Sequence, residues 1–330
     1  MSVIVTGGAG YIGSHIVKRL VEMGEAPIVI DDLSEGHRDS IGECRLIIGD
    51  FSDPEVLGKA IADDDPPFII HMAANSLVGE SIVNPSKYYE NNLIKSLRML
   101  DFLREEKVKG IVFSSSAAVY GEPKEIPIKE NHPQDPTNPY GETKLSFERA
   151  LEWYRRSYSI GYVSLRYFNA AGADPDGTIG ENHADETHLI PRLLLAILGR
   201  IESVEVFGDD YPTYDGTCIR DYIHVMDLAE AHILAMVFLE RNRGAGRIFN
   251  LGNGEGFSVL EVIEMVKRVT GRDVPVKIGK RRQGDPAVLL ASSAKIVEEL
   301  RWKARFPSLA DIIETAWKWH RAHPEGYKKK

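Results

Sequence analysis

Three side chains in two short runs have the chemistry to move a proton. Tyr140 and Lys144 stand in Tyr140-Gly141-Glu142-Thr143-Lys144, and Ser116 closes the run Ser114-Ser115-Ser116. On a helix, positions four apart share a face, so phenol and ammonium point the same way. A free phenol ionises at about pH 10 and is a poor base at neutrality. Bringing it to neutrality takes roughly 4 kcal/mol of differential stabilisation, which adjacent cations in a partly dry site can supply. A serine hydroxyl at a strand end can hydrogen-bond a substrate oxygen and relay its proton. Taken alone, Tyr-x-x-x-Lys is also the spacing of an ordinary amphipathic helix with a snorkelling lysine. The serine run and a glycine cradle upstream turn it into a constellation.

That cradle is Gly7-Gly8-Ala9-Gly10-Tyr11-Ile12-Gly13, with Gly7, Gly10 and Gly13 three apart between a strand and a helix. Lacking Cβ atoms, such glycines permit a tight turn, a close approach of pyrophosphate to backbone N–H groups, and close helix–strand packing. The helix N-terminus adds partial positive charge. The bland alternative is a plain strand–turn–helix junction. Asp31, after Ile28-Val29-Ile30, favours the dinucleotide, since a carboxylate there accepts from the adenosine ribose diol and repels a 2′-phosphate. The expected cofactor is therefore NAD and not NADP. Asp32 either shares that task or begins the next loop. Asp50, after Ile47-Ile48-Gly49, either meets the adenine amino group or caps a turn.

The elements that must position these groups alternate in type. Strand patterns cover Ser2–Thr6, Pro27–Asp31, Arg45–Ile48, Phe68–Met72, Ile111–Ser114 and Tyr162–Tyr167. Helical spacing covers Ile12–Met23, with Ile12, Ile16, Leu20 and Met23 on one face and Gly24 as the stop. Asp53 and Pro54 open another helix, and a long one is expected over Ser86–Glu106. Gly121–Pro139 holds five prolines and reads as a surface loop, before helical spacing resumes over Gly141–Tyr158. The fold class is α/β: a Rossmann-type doubly wound parallel sheet with a smaller mixed α/β substrate domain. The expected division is 1–170 for the dinucleotide and 171–330 for substrate, with strands at Ile219–Val225 and Arg247–Leu251 returning 219–251 to the first sheet. A helix is expected at Leu189–Leu198, and Ser258-x-x-Glu261 is a capping box.

Bulk composition excludes several classes. The chain has 330 residues, 43% hydrophobic, and a net charge of −9. Apart from the tail Lys328, Lys329 and Lys330 it has no basic block, so a nucleic-acid partner is not expected. No run of apolar residues is long enough for a membrane span. The N-terminal residues read as a first strand and not as a leader. The two cysteines, Cys44 and Cys218, form no metal-spaced pair, and their scarcity suits a reducing, cytoplasmic compartment. No metal is expected.

The chain resembles the extended short-chain dehydrogenase/reductases, and within them the UDP-galactose 4-epimerases. The resemblance rests on Thr6–His15, Val78-Gly79-Glu80-Ser81, Asn91-Asn92, Ser114–Gly121, Asn138-Pro139-Tyr140-Gly141 and Arg166-Tyr167-Phe168-Asn169. Further support comes from Phe207–Thr213, Arg220-Asp221-Tyr222-Ile223-His224-Val225 and Arg281-Arg282-Gln283-Gly284-Asp285. It implies Tyr140 as base, Ser116 as its hydroxyl partner, also touching substrate, and Lys144 as cationic tuner. It implies cofactor contacts from Tyr11, Ile12, Phe51, Asn91 and Ser114 besides the glycines and acids. For a UDP-sugar it implies Asn169 and Phe207 as contacts, Arg220 and Arg282 against the diphosphate, and Asp285 at the uridine ribose. Arginine forks suit phosphate oxygens. From the residues alone, Arg220 is as readily an ion-pair partner of Asp221 or another carboxylate.

The implied activity is interconversion of UDP-galactose and UDP-glucose with tightly bound NAD, in a homodimer paired through the helices near 86–106 and 141–158. Two departures from the family stand out: Ser76 where a lysine is common, and Leu289 where a tyrosine or a smaller residue sets sugar size. Related 4,6-dehydratases carry Asp-Glu after the equivalent of Ser116, where this chain has Ala117-Ala118. A 4-epimerase of UDP-N-acetylhexosamines, UDP-glucuronate or UDP-pentoses, or a silent NAD-binding sensor, are the alternatives.

Overall fold

A computed structural model of the chain describes residues 1–61, 65, 67–282 and 285–327. Gln283 and Gly284 of the Arg281–Asp285 run and the tail lysines fall outside the described residues. The first half alternates: β1 (Val3–Thr6), α1 (Tyr11–Glu22), β2 (Ile28–Asp31), β3 (Arg45–Ile48), α2 (Pro54–Ala60) and β4 (Phe68–His71). Next come α3 (Val78–Val83), α4 (Pro85–Tyr88), α5 (Lys95–Leu103), β5 (Gly110–Ser116), α6 (Pro139–Tyr158), β6 (Tyr162–Tyr167) and β7 (Asn169–Ala171). Then follow α7 (Leu189–Ile197), β8 (Val204–Phe207), β9 (Ile219–His224), α8 (Val225–Arg241), β10 (Gly246–Leu251) and β11 (Gly256–Ser258). The chain finishes with α9 (Val259–Thr270), β12 (Val276–Gly279), β13 (Val288–Leu289), α10 (Ala294–Leu300) and α11 (Leu309–Ala322).

Seven strands form one parallel sheet in the order β10-β6-β5-β4-β1-β2-β3. β1, β4 and β5 are buried at every position, as strands covered by helices on both faces must be. The order reverses between β1 and β4, so the carboxyl ends of those strands open a crevice at the switch point. The glycine run follows β1, and the serine run ends β5, at that same edge of the sheet.

Local signals account for the element ends. Asp53 accepts from the Glu55 N–H at 2.9 Å with Pro54 in the first turn of α2. Ser258 and Glu261 form a reciprocal capping box at α9. Gly24 has φ +83°, which stops α1. Met23 is therefore a C-cap and 41% exposed, not part of the buried face expected for it. Ile16, Val17 and Leu20 carry that face against Leu228, Ala231 and Leu239 of α8, each large aliphatic contributing roughly 1.5–3 kcal/mol.

Three expectations are corrected. The helix expected at 86–106 is broken by a π turn over Tyr89–Ile94 and ends at Leu103. That turn carries buried Asn92, whose amide grips the backbone of Asn75 at 2.9 Å on both sides. The strand at 219–224 does not join the central sheet. Only β10 does, while β9 pairs with β7, β11 and β13 in a second sheet. The proline-rich loop is not wholly superficial: Ile128 is fully buried and bridges to Ala291, with its N–H donating to the Leu290 carbonyl at 2.8 Å.

The residue-171-onward region also includes the parallel pair β8–β12 and the helices α7, α9 and α11, which share an apolar core around Leu193, Val262, Ile312 and Ile313.

Candidate active site

The three serines at the end of β5 each engage α6. The Ser114 carbonyl accepts from Lys144 Nζ at 2.8 Å, the Ser115 hydroxyl donates to Glu148 Oε1 at 2.5 Å, and the Ser116 hydroxyl is close enough to the Tyr140 phenol to favour its ionised form. Residues 140, 144 and 148 recur at one helical face, so strand and helix are buttoned together along the proton-transfer group. Asn138 caps α6 by accepting from the Gly141 N–H at 2.9 Å, with Pro139 in the first turn. That cap fixes where Tyr140 starts.

Electrostatics in this crevice are set by burial. Tyr140 is 7% exposed and Lys144 3%. Burial raises the Tyr140 phenol above its usual value, and the Ser116 hydrogen bond pulls the other way. Burial pushes the Lys144 ammonium down to about 7, opposed by the Glu148 carboxylate. Lys144 Nζ lies 4.9 Å from the Phe113 ring centre and 5.8 Å from that of Tyr140. Of the two, only Lys144 sits near neutrality; the phenol is held protonated there by burial and needs added positive charge beside it to ionise.

Glu148 and Tyr167 were not singled out from sequence. Glu148 forms a buried pair with Arg166, whose Nε donates at 2.9 Å. Arg166 also donates to the Tyr120 hydroxyl at 2.9 Å. Tyr167 hydrogen-bonds the Ser114 hydroxyl. The helical repeat from Tyr140 through Lys144 to Glu148 was the signal available for the first; Tyr167 has none short of the β5–β6 register.

The glycine run fits a pyrophosphate. Gly7 has φ +70°, and a Cβ there would lie 2.5 Å from the Ala73 nitrogen. A Cβ on Gly13 would lie 2.2 Å from the Gly7 carbonyl oxygen. Gly10 is the N-cap of α1 with no side-chain cap, so the first-turn N–H groups, Ile12 included, are free of side-chain partners. Asp31 ends β2 and is 8% exposed, with Oδ2 accepting from the Ala9 N–H and Oδ1 from the Leu33 N–H, both at 2.9 Å. It therefore braces the glycine loop, and its remaining lone pairs suit a ribose diol.

Other expected cofactor positions divide. Asp32 is exposed and accepts from Ser34 in the loop. Asp50 accepts from the Ser52 N–H at 2.8 Å and pairs with Lys95 at 2.8 Å. Burial raises its pKa, but Lys95 and Ser52 bring it below the usual value. Phe51 is buried against His71, ring centres 5.0 Å apart. Asn91 sits on the π turn and donates to Asn92. Ser76 is exposed in the loop after β4. The Tyr11 hydroxyl is engaged by the Gly172 carbonyl at 2.7 Å, so its backbone N–H in the first turn of α1 is the group available to a phosphate.

The expected substrate residues gather on the second sheet. Asn169 of β7 donates to the Asp221 carbonyl at 2.9 Å. Arg220 does not pair with Asp221, whose carboxylate accepts from the N–H groups of Asn253, Gly254 and Ala291 at 2.8 to 3.0 Å. Its partner is Asp285, at 3.7 Å. The Arg282 guanidinium lies 4.4 Å from the Phe207 ring centre. Leu289 packs against the apolar cluster that includes Ala117, Leu145, Phe168 and Ala291, so it joins this sheet to the residues that follow β5 and to α6.

Comparisons with known proteins agree with this arrangement. The sequence profile of the NAD dependent epimerase/dehydratase family matches residues 3–252. A UDP-glucose 4-epimerase of Halalkalibacterium halodurans is 54% identical over 327 residues, 99% of this chain and 98% of that one. A crystal structure of a UDP-glucose 4-epimerase superposes with a TM-score of 0.96 at 48% identity, covering 100% of both chains. The UDP-glucose 4-epimerase of Bifidobacterium longum in complex with NAD+ and UDP gives a TM-score of 0.93 at 37% identity, over 99% of this chain and 100% of that one. With cradle, buttoned tyrosine and second sheet in place, the chain belongs to the NAD dependent epimerase/dehydratase family.

Proposed function

We propose that this protein interconverts UDP-galactose and UDP-glucose by transient oxidation at C4, with NAD as a tightly held cofactor. The observation that carries the reading is the placement of Tyr140, Lys144 and Ser116 at the end of β5, beside the switch point where the glycine loop opens. Gly7, Gly10 and Gly13 would hold the dinucleotide pyrophosphate and Asp31 its adenosine ribose. Bound there, NAD supplies a hydride acceptor at C4, later the donor, and a positive charge.

The chain's own residues do the rest. Tyr140, as phenolate, takes the proton of the 4-hydroxyl directly or through Ser116 as the C4 hydride leaves. The sugar becomes a 4-keto sugar. Lys144, fixed by the Ser114 carbonyl, keeps cationic charge beside the phenol ring. Arg220, Arg282, Asn169 and Asp285 clamp the nucleotide while the keto sugar turns, so hydride returns to the opposite face and Tyr140 gives back the proton. A clamp on the nucleotide and a loose grip on the hexose are what epimerisation requires.

In this reading residues 1–170, α8 and β10 serve the dinucleotide, and the second sheet with α7, α9 and α11 serves the UDP-sugar. A homodimer through the α5–α6 side is supported by exposed apolar residues there: Ile94 at 39%, Trp153 at 64% and Tyr158 at 47%. Cytoplasmic placement is supported by two unpaired cysteines. No helix among the described residues is long and apolar enough to cross a membrane. The intact tyrosine, lysine and serine weigh against a silent sensor.

The test is incubation of the purified protein with UDP-galactose and no added NAD, followed by separation of products. UDP-glucose should accumulate to equilibrium without net NADH. A protein that leaves UDP-galactose untouched, or converts only another UDP-sugar in a panel, contradicts the assignment.

A further inference from the structure

We propose that Glu181, His183, Glu186 and His188 bind one divalent transition-metal ion of the zinc class in a closed, structural site. The segment lies between β7 and α7, and one donor atom from each residue falls within 4.8 Å of all the others. His183 Nδ1 is 3.5 Å from Glu181 Oε1 and 3.1 Å from Glu186 Oε2. His188 Nδ1 is 2.7 Å from Glu181 Oε1 and 3.2 Å from Glu186 Oε1. A tetrahedral zinc with ligands at about 2.0–2.1 Å has ligand–ligand edges of about 3.3 Å, which these separations bracket. Two imidazoles with two carboxylates and no thiolate is a borderline donor set, suited to zinc or cobalt(II) over the soft copper(I) or the hard calcium.

A second observation points the same way. Glu181 is 3% exposed, and among the described residues its Oε1 accepts no well-directed hydrogen bond. His188 Nδ1 comes close to that oxygen without the direction a hydrogen bond needs. A buried carboxylate oxygen left unsatisfied is costly. A cation shared by the four donors removes the cost. Four protein donors leave no open position, which marks a structural and not a catalytic ion. His188, 45% exposed, opens the cluster to solvent for metal access.

The site would tie the segment to the dinucleotide half. The His183 ring meets Tyr11, the first residue of α1, edge-on at 6.4 Å. The Asn182 carbonyl meets His37 Nε2 at 2.9 Å. A bound ion would fasten the 181–188 segment against the helix that follows the glycine run.

The experiment strips full-length protein with EDTA, adds zinc chloride, removes excess by gel filtration and measures zinc per chain by mass spectrometry. About one zinc per chain and a raised melting temperature are expected. Cobalt(II) chloride in place of zinc should give the visible bands of a tetrahedral ion, bleached by EDTA. Glu181→Gln and His183→Ala should each lose the metal. Wild-type protein that retains no zinc and gives no cobalt bands overturns the proposal and leaves an ionic cluster only. Equal retention by both variants also overturns it. Should the variants fail to fold, the wild-type cobalt spectrum decides by its presence or absence.

Discussion

Leu289 stands directly opposite Arg220 in the pairing of β13 with β9. One side of this register therefore carries a guanidinium, and the other an apolar side chain packed against the cluster that includes Ala117, Leu145 and Phe168. In the proposed function, sugar size and nucleotide grip would be set on one rung of one small sheet. Leu289→Tyr should lower kcat/KM for a UDP-N-acetylhexosamine relative to UDP-glucose by about tenfold or more, which is about 1.4 kcal/mol of lost discrimination energy. Leu289→Ala should raise the same ratio. Parallel kinetics on the two substrates test this, and an unchanged ratio in both variants would remove Leu289 from the sugar pocket.

Tyr140→Phe keeps the ring that meets Tyr88 edge-on at 6.4 Å and deletes only the hydroxyl beside Ser116. Activity should fall by about 10²–10⁴-fold, the range for a lost acid–base group, while bound NAD stays near wild type. Turnover near wild type would show that another group takes the proton.

Gly13→Ala places a Cβ 2.2 Å from the Gly7 carbonyl oxygen and 2.8 Å from the Gly8 Cα. Backbone atoms cannot yield as a flexible side chain would, so the first turn of α1 must shift away from the loop. The purified variant should carry much less NAD, read as nucleotide released on denaturation. Full NAD content would mean that the cradle tolerates the shift.

Glu148→Ala strands Arg166, which is 1% exposed, without its carboxylate. Breaking such a buried pair costs about 3–5 kcal/mol, to be read from urea midpoints. Adding Arg166→Met should recover part of the loss. A double variant no better than the single would contradict the stranded-charge account.

Acid should destabilise the fold well above the carboxylate range. Burial holds His71 and His224 down to about 3, and His15, His232 and His320 down to about 4. Unfolded histidines titrate at about 6.5, so below that pH the unfolded chain binds more protons and stability is lost as pH falls toward 4. Asp221, pushed up to about 6 by burial, has the opposite sign: its native state takes a proton first and gains as pH falls through that value. His183 and His188, raised despite burial by Glu181 and Glu186, share that sign, and the five depressed histidines outnumber these three groups. Urea midpoints should drop steadily between about pH 7 and about pH 5, and a flat profile would mean that these imidazoles are not buried neutral.

Local chemistry was legible in the sequence. The caps at Asp53 and Ser258, the stop at Gly24 and the glycine cradle follow from backbone groups that must be satisfied, or clashes avoided, within a few residues. Tyr140 and Lys144 share a face because helical geometry alone requires it. Alternation of apolar strands with amphipathic helices was enough for the doubly wound sheet.

Partnerships across long separations were decided only in the folded chain. Adjacent residues on a strand point to opposite faces, so Arg220 faces Asp285 while Asp221 turns to the backbone of Asn253, Gly254 and Ala291. The strand over 219–224 has the same texture whichever sheet it joins, and its neighbours placed it in the second one. Tyr11 packs against His15 and His183 and reaches the carbonyl of Gly172, far along the chain. Sequence specified conformation wherever the competing groups were neighbours. Where charges and hydroxyls had several partners to choose from, the register of packed elements made the choice.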